Sequence, residues 1–352
     1  MKMNTQDLFE NNPKIDAFVV TDEANRYYFT QMETSFGAVV LSPQRNVFIT
    51  DFRYETEARE KVKDFEIIIS TYSELYAKIA EVLTSIEAKN VGYGEKMYID
   101  EFTAFKSALS GFKLKPAEEA ISLKRAIKTE QEIATIKSAQ QIAETALKRA
   151  ISRVKAGITE RELMAEINYE MIIAGAEKYS FETIVAFGAN TAQPHHHPSD
   201  RKLEKNELIL VDMGAKYNGY CSDMTRTFCL GNPGQKLTDV YGIVKEAQEY
   251  AIKHIKAGMT CNDADALARE YITSRGYGSN FGHSFGHGVG VEIHEAPRVS
   301  ANSEMVLQPN MVITAEPGIY LAGVGGVRIE DMLVVKEDGV VNLTSYDKKF
   351  NI

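Results

Sequence analysis

The spacing of apolar residues changes near position 120 of this 352-residue chain. Before it, short apolar runs alternate with helix-periodic stretches. Residues 15–20 (IDAFVV) and 38–50 (AVVLSPQRNVFIT) read as strands, the second broken by a turn at Ser42-Pro43. The pattern predicts a helix over 55–63, a strand over 65–70, a helix over 72–89 and a strand from Asn90 to Tyr93. Asp100 is placed as the cap of a helix reaching Leu109. Such alternation predicts a small α/β domain. Beyond it, Ile133, Ile136, Ala139, Ala143, Leu147, Ala150 and Val154 share one face of a long helix over 130–154. Gly157 ends that helix, and Thr159 with Glu162 forms a capping box for the next. The boundary is expected near 120–125, giving domains 1–122 and 123–352.

The second domain repeats itself. Lys155-Ala156-Gly157-Ile158-Thr159 recurs as Lys256-Ala257-Gly258-Met259-Thr260, and Gly175 recurs as Gly276. Each copy follows a long amphipathic helix, the second over about 238–255. Downstream, Leu203, Asn206, Asp212 and Gly214 match Leu307, Asn310, Glu316 and Gly318. A period this long excludes a solenoid and implies two similar halves related by a pseudo-twofold axis.

Two apolar runs in these halves end in a carboxylate beside a turn. Glu207 to Val211 leads to Asp212, and Met311 to Ala315 leads to Glu316. Asp223 and Glu330 each precede a further strand-like run. One such residue alone is usually a turn or solvated side chain. Four in repeated contexts, with His287 set between Gly286 and Gly288, form a donor set for divalent cations. Two such ions can share one water and make hydroxide at neutral pH. His283 and His287 have helical spacing, but the glycines and the lack of a Glu after His283 exclude a zincin helix. The glycine run does not match a dinucleotide loop. His195 and His294 can donate to an oxyanion or shuttle a proton. His196 and His197 read as a surface loop cluster, and His254 as structural.

Composition narrows the setting. A net charge of −9 argues against nucleic acid as a partner. The first residues lack the apolar core of a secretory signal, and no apolar run is long enough to span a membrane. Three cysteines without metal-type spacing fit a reducing compartment, so a cytoplasmic location is expected, with the thiols buried rather than catalytic.

The phrases VDMGAKYNGYCSDMTRT, HSFGHGVGVEIHEAP, ITAEPGIY and VRIED, with NRYYFT and TDFRY upstream, resemble the aminopeptidase P and prolidase branch of the M24 metallopeptidases. The resemblance spans nearly the whole chain. It implies an α/β (α+β) protein, with a small creatinase-like N-terminal domain followed by a pseudo-twofold pita-bread catalytic domain. It implies Asp212, Asp223, His287, Glu316 and Glu330 as ligands of two divalent ions per subunit. Mn is the first choice, with Co, Zn or Fe as alternatives. Asp223 and Glu330 would bridge, Asp212 would complete one shell, and His287 with Glu316 the other. It further implies His195, His294 and Glu316 as catalytic and His283 and Arg298 as substrate-binding. The activity implied is hydrolysis of the Xaa-Pro bond by a metal-bridging hydroxide, on peptides with proline second, in a homodimer. A non-catalytic peptide-binding or scaffold protein and a creatinase-like amidinohydrolase are the alternatives, and both lose ligands that this chain keeps. The repeat pairs Asp212 with Glu316 and sets Asp223 about where Glu330 stands. His287 has no such mate, so two unequal metal positions are expected.

Overall fold

A computed structural model describes residues 5–352. Residues 1–4, where the leader reading and the first domain begin, lie outside the described residues. The chain divides into two compact units, Met1–Arg125 and Ala126–Ile352.

The first unit is built on one six-stranded sheet. Its strands are β1 (Ala17–Val20), β2 (Ala38–Leu41), β3 (Val47–Thr50), β4 (Glu66–Ile69), β5 (Asn90–Tyr93) and β6 (Lys113–Pro116), in the order β4-β3-β2-β1-β5-β6. β1, β2 and β3 are buried along their whole length, which is why they read as continuous apolar runs. The helices are α1 (Gln6–Asn11), α2 (Glu23–Thr30), α3 (Glu55–Lys61), α4 (Leu75–Ser85), α5 (Ile99–Ala108) and α6 (Glu118–Ala126). Helix α2 has no counterpart in the sequence expectation. Its run Tyr27-Tyr28-Phe29 favours strand locally, but Asp22 caps it by accepting from Asn25 N at 3.0 Å. Asp100 is not the cap of α5. Tyr98 occupies that position, and Asp100 lies in the first turn, where its charge suits the helix dipole.

The second unit holds two similar halves. Helices α7 (Glu130–Ile151) and α8 (Glu160–Ile173) begin the first, and α9 (Gln235–His254) and α10 (Cys261–Ser274) the second. Capping boxes start α8 at Thr159 and α10 at Thr260, positions matched by the repeat. The backbone repeats too. Gly157 N donates to Leu203 O at 2.8 Å, and Gly258 N donates to Leu307 O at 2.9 Å. Asn206 and Asn310 share the left-handed conformation, with φ of 66° and 68°. The two halves are therefore similar in conformation as well as in sequence.

The strands of this unit are β7 (Lys178–Tyr179), β8 (Ile184–Phe187), β9 (Glu207–Met213), β10 (Ala215–Tyr217), β11 (Tyr220–Cys221), β12 (Met224–Leu230), β13 (Gly286–Gly288), β14 (Glu295–Val299), β15 (Val312–Ala315), β16 (Gly318–Leu321), β17 (Gly325–Arg328), β18 (Asp331–Lys336) and β19 (Gly339–Asn342). The first half carries the antiparallel order β12-β9-β8, and the second carries β14-β13-β15-β18-β19. Both sheets are antiparallel throughout. Ala143, Leu147, Leu163, Ile167, Val185 and Val211 form part of the core between the first half's helices and sheet. Glu330 N donates to Thr225 O at 3.1 Å, and Thr227 Oγ1 donates to Arg328 O at 2.9 Å, so the halves join along β12 and residues 328–330. Among the described residues, no helix is long and apolar enough to cross a membrane. The three thiols are free and buried.

Candidate metal centre

The strand ends of the second unit converge on a cavity of about 1040 Å³. Asp212 lies near the end of β9, Asp223 just before β12, Glu316 just after β15 and Glu330 just before β18, while His287 is central in β13. All five line the cavity, as do His195, His283, His294 and Arg298. Strands and strand ends thus bring the five candidate ligands to one space, while His195, His283 and His294 reach it from loops.

Asp223, His287 and Glu330 present ligand atoms within 4.8 Å of one another. His287 Nε2 lies 3.5 Å from Asp223 Oδ2 and 3.4 Å from Glu316 Oε1. The other ring nitrogen, Nδ1, sits 3.1 Å from Gly288 O. A carbonyl only accepts, so Nδ1 carries the proton and the Nε2 lone pair faces the carboxylates. Burial, reinforced by nearby His294, lowers His287 to about 4, which keeps the ring neutral at pH 7. Close backbone approach sets this strand. A Cβ on Gly286 would meet Thr314 O at 2.1 Å.

The carboxylates are buried against like charge. Burial raises Asp223 well above its ordinary range, with Glu330 and Asp212 adding to the effect. Glu330 is raised by burial, then by Glu316 and Asp212. Burial pushes Glu316 up to about 8, with Asp212 adding to it and Arg328 opposing. One oxygen of Asp212 (Oδ1) and one of Glu330 (Oε1) are buried without a hydrogen-bond partner. Unpaired buried carboxylate oxygens are costly, and a divalent cation satisfies them. Hard oxygen donors with one imidazole fit such ions.

Three residues at or beside the site, Arg328, Thr225 and Tyr320, were not singled out from the sequence. Arg328, buried, donates from Nη2 to Asp212 Oδ2 at 2.7 Å, from Nε to Thr225 Oγ1 at 3.0 Å and from Nη1 to Tyr320 OH at 2.8 Å. Thr225 in turn donates to Glu330 Oε2 at 2.7 Å. Tyr320 OH lies 3.0 Å from His283 Nε2, and His283 Nδ1 lies 2.8 Å from Ser284 O. His283 therefore lines the cavity with both ring nitrogens engaged by protein. The alternation of β17 offered a signal for Arg328, since it stands two residues before Glu330.

Other expectations shift in detail. Val211 pairs with Arg226, and Ala315 with Asp331. The position equivalent to Glu330 is thus Thr225, and Asp223 stands two residues earlier in the strand. The two halves supply their second carboxylate from different steps of the ladder, so the site is less symmetric than the repeat implied. His196 is not a surface residue: its side chain is 10% exposed and its Nε2 lies 2.8 Å from Glu160 Oε2. His294 stacks edge-on against His287, with ring centroids 4.4 Å apart. Arg298 is exposed at the rim and donates to Ser284 Oγ at 3.1 Å.

Comparison with known proteins agrees with this geometry. The model of metallopeptidase family M24 matches residues 134–337, and that of the creatinase/prolidase N-terminal domain matches 4–127. The chain belongs to metallopeptidase family M24. As an M24 metallopeptidase, it is a hydrolase that depends on divalent metal. It is 38% identical to the Xaa-Pro dipeptidase of Pyrococcus furiosus, over 97% of each chain. Among solved structures, an Xaa-Pro dipeptidase from Bacillus anthracis is 38% identical with a TM-score of 0.93, covering 99% of this chain and 100% of that one. An X-Pro aminopeptidase from Thermotoga maritima is 36% identical with a TM-score of 0.90, covering 97% and 99%. The likeness spans both units of the M24 chain.

The crowded carboxylates predict how the metal-free M24 protein responds to pH. Glu316 rises from 4.5 to about 8 on folding, so the folded state binds more protons than the unfolded state between those values. Stability of the metal-free protein should fall as pH rises through that window. Glu330→Gln should raise the metal-free melting temperature at pH 8, because it removes a carboxyl whose ionised form the buried site disfavours. Added Mn²⁺ should stabilise the wild type far more than this variant. Thermal melts with and without metal check both; a metal-free wild type that gains stability toward pH 8 contradicts the reading.

Proposed function

We propose that this protein hydrolyses the Xaa-Pro peptide bond, releasing the N-terminal residue from Xaa-Pro dipeptides or Xaa-Pro peptides. The observation that carries the reading is the convergence of four carboxylates and the free Nε2 of His287 on one cavity, with oxygens of Asp212 and Glu330 unpaired. The relatives named above as Xaa-Pro dipeptidase and X-Pro aminopeptidase support the substrate class. In this reading Asp212, Asp223, His287, Glu316 and Glu330 would hold two divalent ions, Mn first among the candidates. When bound, the ions would supply Lewis acidity toward the scissile carbonyl and make a water nucleophilic at neutral pH.

The chain's own residues then have distinct tasks. Glu316 sits on the second half's strand end, with Thr314 Oγ1 donating to its Oε1 at 3.2 Å. It would accept a proton from the attacking water. His294 reaches into the cavity beside His287 and would donate to the oxyanion that develops on the Xaa carbonyl. His195 also lines the cavity and would shuttle a proton or contact substrate. Arg298, at the rim with its Nε on Ser284 Oγ, would meet the carboxylate of a short peptide with its remaining N–H groups. His283 would line the substrate side of the wall, held there through Tyr320 and Ser284. The protein is further proposed to be a cytoplasmic homodimer.

The test is hydrolysis of Ala-Pro and Ala-Pro-Ala with Mn²⁺ or Co²⁺, before and after a chelator. Xaa-Pro cleavage that the chelator abolishes and added metal restores is the expected result. Activity that ignores the chelator would favour a metal-independent amidinohydrolase, and metal binding without cleavage a scaffold. His294→Ala should lower kcat by about 10²- to 10³-fold, the range for an oxyanion donor, while metal content stays at the wild-type level. Loss of metal in that variant would make His294 a ligand instead.

A further inference from the structure

One wall of the cavity has little regular structure of its own. Pro194, His195, His196, His197 and Pro198 line it, within the connection from β8 to β9. Beyond a short 3₁₀ turn at Gly188–Ala192, no helix or named strand carries this wall until Glu207. A loop of this length needs something to hold it in place.

Glu160, the first residue of α8, supplies that hold. Its side chain has no solvent exposure. Oε1 accepts from Phe187 N at 2.8 Å and Asn190 Nδ2 at 2.9 Å. Oε2 lies 2.8 Å from His196 Nε2 and accepts from Ser199 N at 2.9 Å and Ser199 Oγ at 2.6 Å. The first pair of donors opens the loop and the other three close it, so a single carboxylate clasps both ends. Burial alone would push Glu160 up, but the bonds from Ser199, His196, Asn190 and Phe187 outweigh it and hold it below its ordinary value. The anion at a helix N-terminus gains from the dipole as well.

His195 sits between two fixed neighbours. His196 is bound to Glu160, and Pro194 O accepts from Arg328 Nη1 at 3.4 Å. Arg328 also holds Asp212. The loop is therefore tied to α8 on one side and to the metal centre on the other. The second half uses a comparable device. Asp265 of α10 accepts from Phe285 N at 3.0 Å and pairs with Arg269, which donates to Phe281 O at 2.9 Å and His283 O at 2.8 Å. In each half, a buried carboxylate on the second helix fixes a loop that brings a histidine to the cavity.

We infer that Glu160 is a positioning residue: its carboxylate sets the 187–199 loop so that His195 stands at a productive distance from the scissile bond. The inference rests on the proposed Xaa-Pro hydrolysis and on His195 facing substrate. A side chain that only stabilised the fold would lower the melting temperature without altering turnover by folded, metal-loaded enzyme.

The test uses the full chain loaded with Mn²⁺. Glu160→Gln keeps the shape but replaces one acceptor oxygen with a donor, which then faces either the Phe187 and Asn190 donors or the His196 and Ser199 donors. Its kcat/KM for Ala-Pro should fall by about 10- to 100-fold, the scale of a small misplacement, with metal content unchanged. In a His195→Ala background the same substitution should add little, because both act through one side chain. Ser199→Ala, which removes one donor and leaves the charge clasped, should show a smaller fall of the same kind and stands in if Glu160→Gln does not fold. Wild-type kcat/KM in these variants, or full additivity with His195→Ala, overturns the inference. If the wild type binds Mn²⁺ yet cleaves no Xaa-Pro peptide, the functional reading fails. The anchoring is then decided by hydrogen–deuterium exchange. Faster exchange confined to 187–199 in the variant upholds it, and unchanged exchange overturns it.

Discussion

Four buried carboxylates sharing one cavity repel one another, and the rest of the catalytic unit is arranged around that repulsion. Neutral carboxyls would be the default in such a place, and burial drives Asp223, Glu316 and Glu330 toward the protonated form. The protein does not relieve the crowding with cations of its own in equal number. Arg328 meets Asp212, and through Thr225 it steadies Glu330, but oxygens of both acids remain unpaired. This is a site held in readiness for external positive charge, at a cost in stability that other parts of the unit must offset.

Two similar halves make the arrangement buildable. Each half starts its second helix with a Thr-led capping box and ends a buried strand at an acid, so each brings a carboxylate to the shared edge by the same local rules. The join between β12 and residues 328–330 then sets the acids of one half against those of the other. His287 breaks the likeness. Its Nδ1 bond to Gly288 fixes the tautomer, so one side of the centre carries an imidazole that the other lacks.

Much of this was legible in the sequence because the signals were local. Asp212 and Glu316 sit at strand ends beside glycine or proline, and the matching pairs Gly157–Gly258 and Asn206–Asn310 mark turns that need the same backbone. What escaped was non-local. Glu160 went unremarked, because its five donors come from positions 187 to 199. His196 looked exposed for the same reason. Arg328 and Tyr320 were passed over because neither is a metal-ligand type, although Arg328 stands only two residues before Glu330 and both line the cavity. Helix α2 was hidden by aromatic residues whose local preference the Asp22 cap overrides.

Anomalous diffraction from crystals grown with Mn²⁺ tests the central claim most directly. The account predicts manganese peaks in the cavity, within direct coordination distance of oxygens of Asp223 and Glu330 and the Nε2 of His287. Crystals saturated with Mn²⁺ that show no peak among these side chains would contradict it.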